Sequence, residues 1–300
     1  HVLVMSATPI PRTLTMTIYG DLDVSIIDTL PSNRIPIKTY LRGDSRLDKI
    51  YEFIKSEVDK GNQAFIVYPL VEDSDKLNLK SAEEYYKKLS EDVFSNYNVG
   101  LIHGKMKWQD KENVMLEFAN KKFDILISTT VIEVGIDIPD ATVIVINDAY
   151  RFGLSQLHQL RGRIGRSNKQ SYCILVAEDG IIKSNYTKDI SLEYLSKSEI
   201  EKYKSAIRLQ SMVKYNDGFK LSEIDLKLRG PGNIFGKEQS GFPELKHANI
   251  IDDSELLFKS KTCAFDIVKN DPKLSLPHNK LIKSVLLRDY QNHLIFSGIA

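Results

Sequence analysis

Short apolar runs alternate with helically spaced stretches over the first 180 positions, and the alternation predicts strands and helices in turn. The apolar runs are His1–Met5, Ile37–Leu41, Gln63–Val71, Asn98–Ile102, Phe123–Ser128, Ala141–Ile146 and Ser171–Ala177. Between them, Arg46–Lys60, Ser81–Ser90, Lys107–Ala119 and Gly153–Arg161 read as helices; Leu47, Ile50, Tyr51, Ile54 and Val58 mark the apolar stripe of the first. Ser81 and Glu84 have the spacing of a capping box, and Pro11 suits the start of a helix. Asp23–Thr29 is a further apolar run, and two prolines within Pro31–Pro36 mark a linker. The expected fold class is α/β: a parallel sheet with helices on both faces, followed by a mostly helical carboxyl-terminal region. Loops carrying chemistry are expected at the carboxyl ends of the strands. From about Ile181 the rhythm changes to charged helical stretches such as Leu192–Val213. A turn-rich segment, Gly230–Gly236, and a helical tail over Asp252–Ala300 follow.

Composition narrows the class. Hydrophobic residues make up 42% of the 300 positions and charged residues 27%, with a mean hydropathy of -0.25. No apolar run approaches the ~18 residues of a spanning helix, which excludes a helical membrane protein. Forty-one basic residues stand against 40 acidic ones, so nucleic-acid contacts must come from local basic patches. Cys173 and Cys263 match no metal-binding spacing, and Cys173, inside an apolar run, reads as a packed thiol. A reducing, cytoplasmic compartment fits, and the Asn185-Tyr186-Thr187 triplet has no secretory context to support it. Opening on an apolar strand without Met, the chain reads as part of a longer one.

The strongest chemical signal is Gln159-Leu160-Arg161-Gly162-Arg163-Ile164-Gly165-Arg166. Three arginines in six residues are not expected in a packed core, and guanidinium groups grip phosphate oxygens. A helix end broken by glycine lets Arg163 and Arg166 address one ligand. A solvated basic loop is the plain alternative. Next comes Ser128–Pro139, where hydroxyls end a strand, Gly135 permits close backbone approach and Asp137 is placed to accept from a ribose hydroxyl. An ordinary helix cap has the same look. His103 follows another strand, and a lone histidine is more often structural. Gly232–Glu238 superficially resembles a phosphate loop, but its glycines are one residue too close and Glu238 replaces the magnesium-binding hydroxyl. No metal-ligand spacing appears.

Ser6-Ala7-Thr8, the Thr129–Asp137 loop and Gln159–Arg166 resemble motifs III, V and VI of the superfamily 2 helicases, in order. Within them, Thr8–Thr13 and Phe152–Arg163 are similar to two groups, the RecG branch-migration helicases and the Mfd transcription-repair coupling translocases. Tyr19–Val24, Val131–Gly135, Asp225–Gly232 and Gln239-Ser240-Gly241 through Leu257 favour the RecG group. The resemblance thins beyond about Asn270.

The resemblance implies a motor of two RecA-like domains with ATP in the cleft between them. The P-loop lysine and the acidic magnesium motif would precede His1, so Mg2+ ligands are expected in that upstream domain. Residues 1–30 would end the first domain, 31–180 form the second and 181–300 form a helical hairpin, a translocation loop and a tail. Arg163 and Arg166 would reach the γ-phosphate, a role worth ~10³–10⁵ in rate, with Gln159 assisting. Gly135 and Asp137 would lie beside the ribose. Thr129 and His103 would face the DNA backbone, and Thr8, Arg12 and Thr13 would couple nucleotide state to domain movement. Arg161 belongs with these DNA-binding or coupling residues, and Arg208, Arg229 and Gln239 match the translocation motif. The implied function is the motor part of an ATP-dependent DNA helicase that translocates on duplex DNA and remodels forks and Holliday junctions. Its partners would be branched or duplex DNA and an upstream wedge, and this stretch alone is expected to be inactive. A coupling translocase and a non-enzymatic nucleic-acid-binding module are the alternatives.

Overall fold

The computed structural model describes residues 34–69, 83–129, 136–182, 196–229 and 253–297, with single positions at 3, 25, 27 and 29. Six strands form one sheet: β1 (Lys38–Gly43), β2 (Gln63–Tyr68), β3 (Val99–Ile102), β4 (Ile125–Thr129), β5 (Ala141–Ile146) and β6 (Tyr172–Ala177). Their order is β1-β6-β5-β2-β4-β3, and every pairing is parallel. The helices are α1 (Leu47–Asp59), α2 (Trp108–Ala119), α3 (Leu154–Arg161), α4 (Lys197–Lys214), α5 (Gly218–Arg229), α6 (Ser254–Asn270) and α7 (Lys280–Ser297). Each strand and helix expected between Ile37 and Ala177 is found within a few residues, the Ser81–Ser90 helix over residues 83–93, except that the Ser81 cap and the end of the Gln63–Val71 run lie outside the described residues. So do the expected 1–5 strand, the Pro11 helix and the glycine-rich turn, apart from the single positions above.

Period-two alternation explains why the sheet needs cover on both sides. From β2, Phe65 and Val67 enter one core, while Ala64, Ile66 and Tyr68 enter the other. Along β5, Ile144 and Ile146 point one way and Val143 and Val145 the other. The first core is closed by Met115 and Phe118 of α2, Leu154 and Leu157 of α3, and Leu209, Met212 and Ile224 of α4 and α5. Ile50, Ile54 and Val58 of α1 close the second, with Leu89 and Phe94. At about 1.5–3 kcal/mol per fully buried aliphatic side chain, these two layers are the main source of stability.

The described residues from Ile27 to Leu228 form one compact unit, and those from 253 onward belong to another. In the second, the turn between α6 and α7 is organised by Asp271. Its carboxylate accepts from Ser275 N–H at 2.9 Å, Leu276 N–H at 2.8 Å and Asn279 Nδ2 at 3.0 Å. These donors, Asn279 first, hold the carboxyl well below the usual aspartate range.

Candidate functional site

Helix α3 links β5 to its parallel neighbour β6, so it must run back against the strand direction. Its end therefore delivers Gly162–Arg166 to the amino ends of the strands. The loop entering β5 brings Asp137 to the same edge. There Arg166 Nη1 lies 3.4 Å from Asp137 Oδ1, and Arg166 Nε donates to Gly162 O at 3.3 Å. Arg163 is half-buried and Gln159 exposed on the same connection.

Two contacts fix this loop. Gly165 has φ +73°, and a Cβ there would stand 2.8 Å from Ile37 Cγ1, so both its conformation and its space favour glycine. Arg34 Nε donates to Gly165 O at 2.8 Å. Beside it, Asp140 pairs with Lys121 at 2.6 Å and Lys169 at 2.7 Å. Those two lysines, Lys121 first, pull its carboxyl below the usual range.

The arginine cluster thus sits opposite to where the carboxyl-end rule put it. Among the described candidate residues, His103 and Thr129 stand at the carboxyl edge, after β3 and at the end of β4. A five- or six-residue strand separates the two edges by roughly 15–20 Å.

Arg161 corrects a second expectation, because it is packed core at 2% exposure. Its Nη1 donates to Met212 O and Tyr215 O, each at 2.9 Å, and its Nη2 donates to Asn216 O at 3.1 Å. Those carbonyls lie at the carboxyl end of α4, which lacks intrahelical donors and favours a cation. Nη2 also lies 3.1 Å from His158 Nδ1. Facing a permanent cation, Nδ1 accepts, so His158 is neutral with its proton on Nε2. Burial, reinforced by Arg161, pushes the His158 pKa down to about 4. Arg161 is therefore a tie between α3 and α4 and not a phosphate ligand.

Of the carboxyl-edge pair, His103 is half-buried, its Nδ1 has no partner among the described residues, and burial lowers its pKa. Thr129 is only 4% exposed, with Oγ1 enclosed and unpartnered among the described residues. Arg208 is half-buried on α4, with Nε lacking a partner among the described residues. Arg229 is the last residue of α5. Thr8, Arg12, Thr13, Gly135 and Gln239 lie outside the described residues.

Sequence reasoning missed one feature of the carboxyl edge. Asp148, just past β5, adopts φ 45° and ψ 44°, a strained conformation for a residue with a Cβ. Burial raises its carboxyl pKa. Asn147-Asp148 at a strand end was the available signal, since these side chains tolerate the left-handed region. Among the described residues no group of three His, Cys, Asp or Glu is placed to hold a metal, and no helix is long and apolar enough to cross a membrane.

A six-stranded all-parallel sheet covered by helices on both faces, with Asp137 and Arg166 meeting at one edge, has the RecA-like fold of a superfamily 2 helicase carboxyl-terminal domain. Residues 45–168 match the helicase conserved C-terminal domain, and residues 215–297 match ATP-dependent DNA helicase RecG, domain 3, C-terminal. The chain belongs to the RecG family. It is 47% identical to ATP-dependent DNA helicase RecG of Aquifex aeolicus, over 100% of this chain and 36% of that one. Identity to the Thermotoga maritima RecG is 49%, over 85% of this chain and 30% of the relative. A solved structure of RecG bound to a three-way DNA junction shares 45% identity at a TM-score of 0.61, covering 84% of this chain and 30% of that one. The chain spans about a third of the length of these curated relatives.

Proposed function

We propose that this chain is part of the motor of an ATP-dependent DNA helicase that translocates on duplex DNA and remodels branched DNA in recombination and repair. On this reading residues 31–180 are the second RecA-like domain, 1–30 end the first, and 181–300 form the hairpin, translocation loop and tail. The observation that carries the reading is the meeting of Asp137 and Arg166 at one edge, with His103 at the other. An exposed carboxylate suits a pair of ribose hydroxyls and a planar guanidinium suits two phosphate oxygens, so these residues fit ATP. Bound there, ATP supplies the phosphoryl group whose transfer drives the motor. Arg163 and Arg166 stabilise its negative charge, Gln159 orients the phosphates, and Asp137 with Gly135 holds the sugar.

Arg161 joins motif VI to the end of α4, the helix bearing Arg208, and so acts as a coupling residue. Arg208, Arg229 and Gln239 would transmit that movement to duplex DNA, alongside Thr8, Arg12, Thr13 and Thr129, with His103 on the DNA side. Magnesium belongs to the upstream domain, and we assign it no residue here. The partner is DNA with a branch, as in the junction complex of the related RecG, and a cytoplasmic location follows from that substrate.

The test is ATP hydrolysis by the full-length protein on forked and linear duplex DNA. A strong preference for forks is expected. Equal stimulation by linear duplex would instead indicate a coupling translocase, and no hydrolysis on either DNA would leave a binding module.

A further inference from the structure

A cavity of about 850 Å³ opens on the α1 side of the sheet, beside the edge strand β1. Its walls carry Arg42 of β1, Arg46 at the cap just before α1, and Lys49 in the first turn of α1. Tyr40, Phe53 and Tyr172 supply aromatic surface. Asp179 is the lining carboxylate, and it accepts from Ser45 Oγ at 3.0 Å. Three cations against one engaged carboxylate make the groove strongly positive.

The arrangement is elongated. Arg46, Lys49 and Phe53 follow one another at helical spacing along one face of α1, a run of about 10 Å. On the opposite wall Tyr40 and Arg42 share one face of β1, about 7 Å apart, with the Arg42 guanidinium 5.0 Å from the Tyr40 ring centroid. Tyr40 is 37% exposed, and Phe53 and Tyr172 meet edge to face at 5.1 Å. Cations spread along two walls, with aromatic rings between them, suit a chain of regularly spaced phosphates carrying flat bases. A compact polyphosphate would need cations converging on one point.

We propose that this groove binds a single strand of DNA, separate from the Asp137–Arg166 edge. The inference rests on the DNA-remodelling function above, because single strands arise where a branch is opened.

Anisotropy of a labelled twelve-nucleotide oligothymidine on the full-length protein tests it, with unlabelled duplex present to occupy other sites. Replacing Tyr40 with Ala should weaken binding at least about fivefold, the lower end of base stacking on an aromatic ring. The pair Arg46→Gln and Lys49→Gln should reduce the slope of log affinity against log salt by about 1.4, at 0.7 per cation for a single strand. Arg46 and Lys49 are exposed, so this second variant keeps its fold even where Tyr40→Ala does not. Unchanged affinity and slope in the double variant would overturn the proposal. So would displacement of the oligomer by equimolar deoxynucleoside monophosphate, or by an oligoglutamate of equal charge. ATP hydrolysis by the unsubstituted protein, measured on the same preparation, separates failure of the groove from failure of the motor reading.

Discussion

The guanidinium of Arg161 and the carbonyl oxygen of Met212, 51 positions apart in sequence, are joined by a 2.9 Å hydrogen bond inside the core. With Tyr215 O and Asn216 O on the same guanidinium, one buried charge ends α4 and secures it to motif VI.

Removing that charge should therefore unsettle α4 and α5 before it touches chemistry. Arg161→Ala leaves several inward-facing carbonyls without a donor and should cost about 3 kcal/mol. Arg161→Lys, with a shorter and more strongly hydrated head group, should recover only part of this. Urea unfolding of both variants checks the order; an alanine variant as stable as the parent would refute the tie.

Acid stability should carry the signature of His158. Its pKa is about 4 in the fold against an ordinary 6.5, so the unfolded chain takes up the proton first as pH falls. The contribution is full above about pH 6.5 and is lost progressively towards pH 4. Between pH 7 and 5 the parent should lose about 1–2 kcal/mol more than a His158→Gln variant. Parallel pH profiles for the two proteins would contradict it.

In the other unit, Asp271 shows the opposite kind of shift, with its carboxyl lowered by the donors of the α6–α7 turn. Its contribution is present above the ordinary aspartate range and disappears as pH falls through the depressed value. Asp271→Asn should loosen the turn at neutral pH and flatten the acid side of the profile. Hydrogen exchange at Ser275 and Leu276, whose amides Asp271 holds, would report the loss directly.

Turnover should depend on the amino-edge arginines. In the full-length protein Arg163→Ala or Arg166→Ala should lower DNA-stimulated ATP hydrolysis by about 10³-fold or more, while DNA affinity stays near that of the parent. Wild-type turnover in either variant would remove that arginine from the site.

Thiol chemistry offers a simple check on the core. Cys173 is fully buried, and burial pushes its pKa up to about 12, whereas Cys263 is exposed. A thiol reagent at neutral pH should modify Cys263 rapidly in the folded chain and reach Cys173 only after denaturation.

The strands were legible because residues buried on both faces read as continuous apolar runs, as Ala141–Ile146 does. Arg161 was misread through its charge, although Leu154 and Leu157 precede it by seven and four residues and place it on their buried stripe. The edge that holds Asp137 and Arg166 was misassigned because the carboxyl-end rule describes loops leaving strands. These residues instead enter β5 and β6, and only the course of α3 shows where they meet. The end of α4 was legible as well: the expected Leu192–Val213 stretch stops one residue before Lys214, and Asn216-Asp217-Gly218 is a turn signal. The groove beside β1 has no local signature, because it unites a strand with a helix and with residues more than 110 positions away.

The two edges of the sheet have a mechanical consequence under the proposed function. β4 and β5 run between them as strands whose every residue is buried, and a close-packed interior does not bend by degrees. A phosphate gained or lost at Arg166 can therefore reach the DNA side only through displacement of the whole layer. The sheet serves as a beam, its stroke set by the rotation of the domain and the length of its strands.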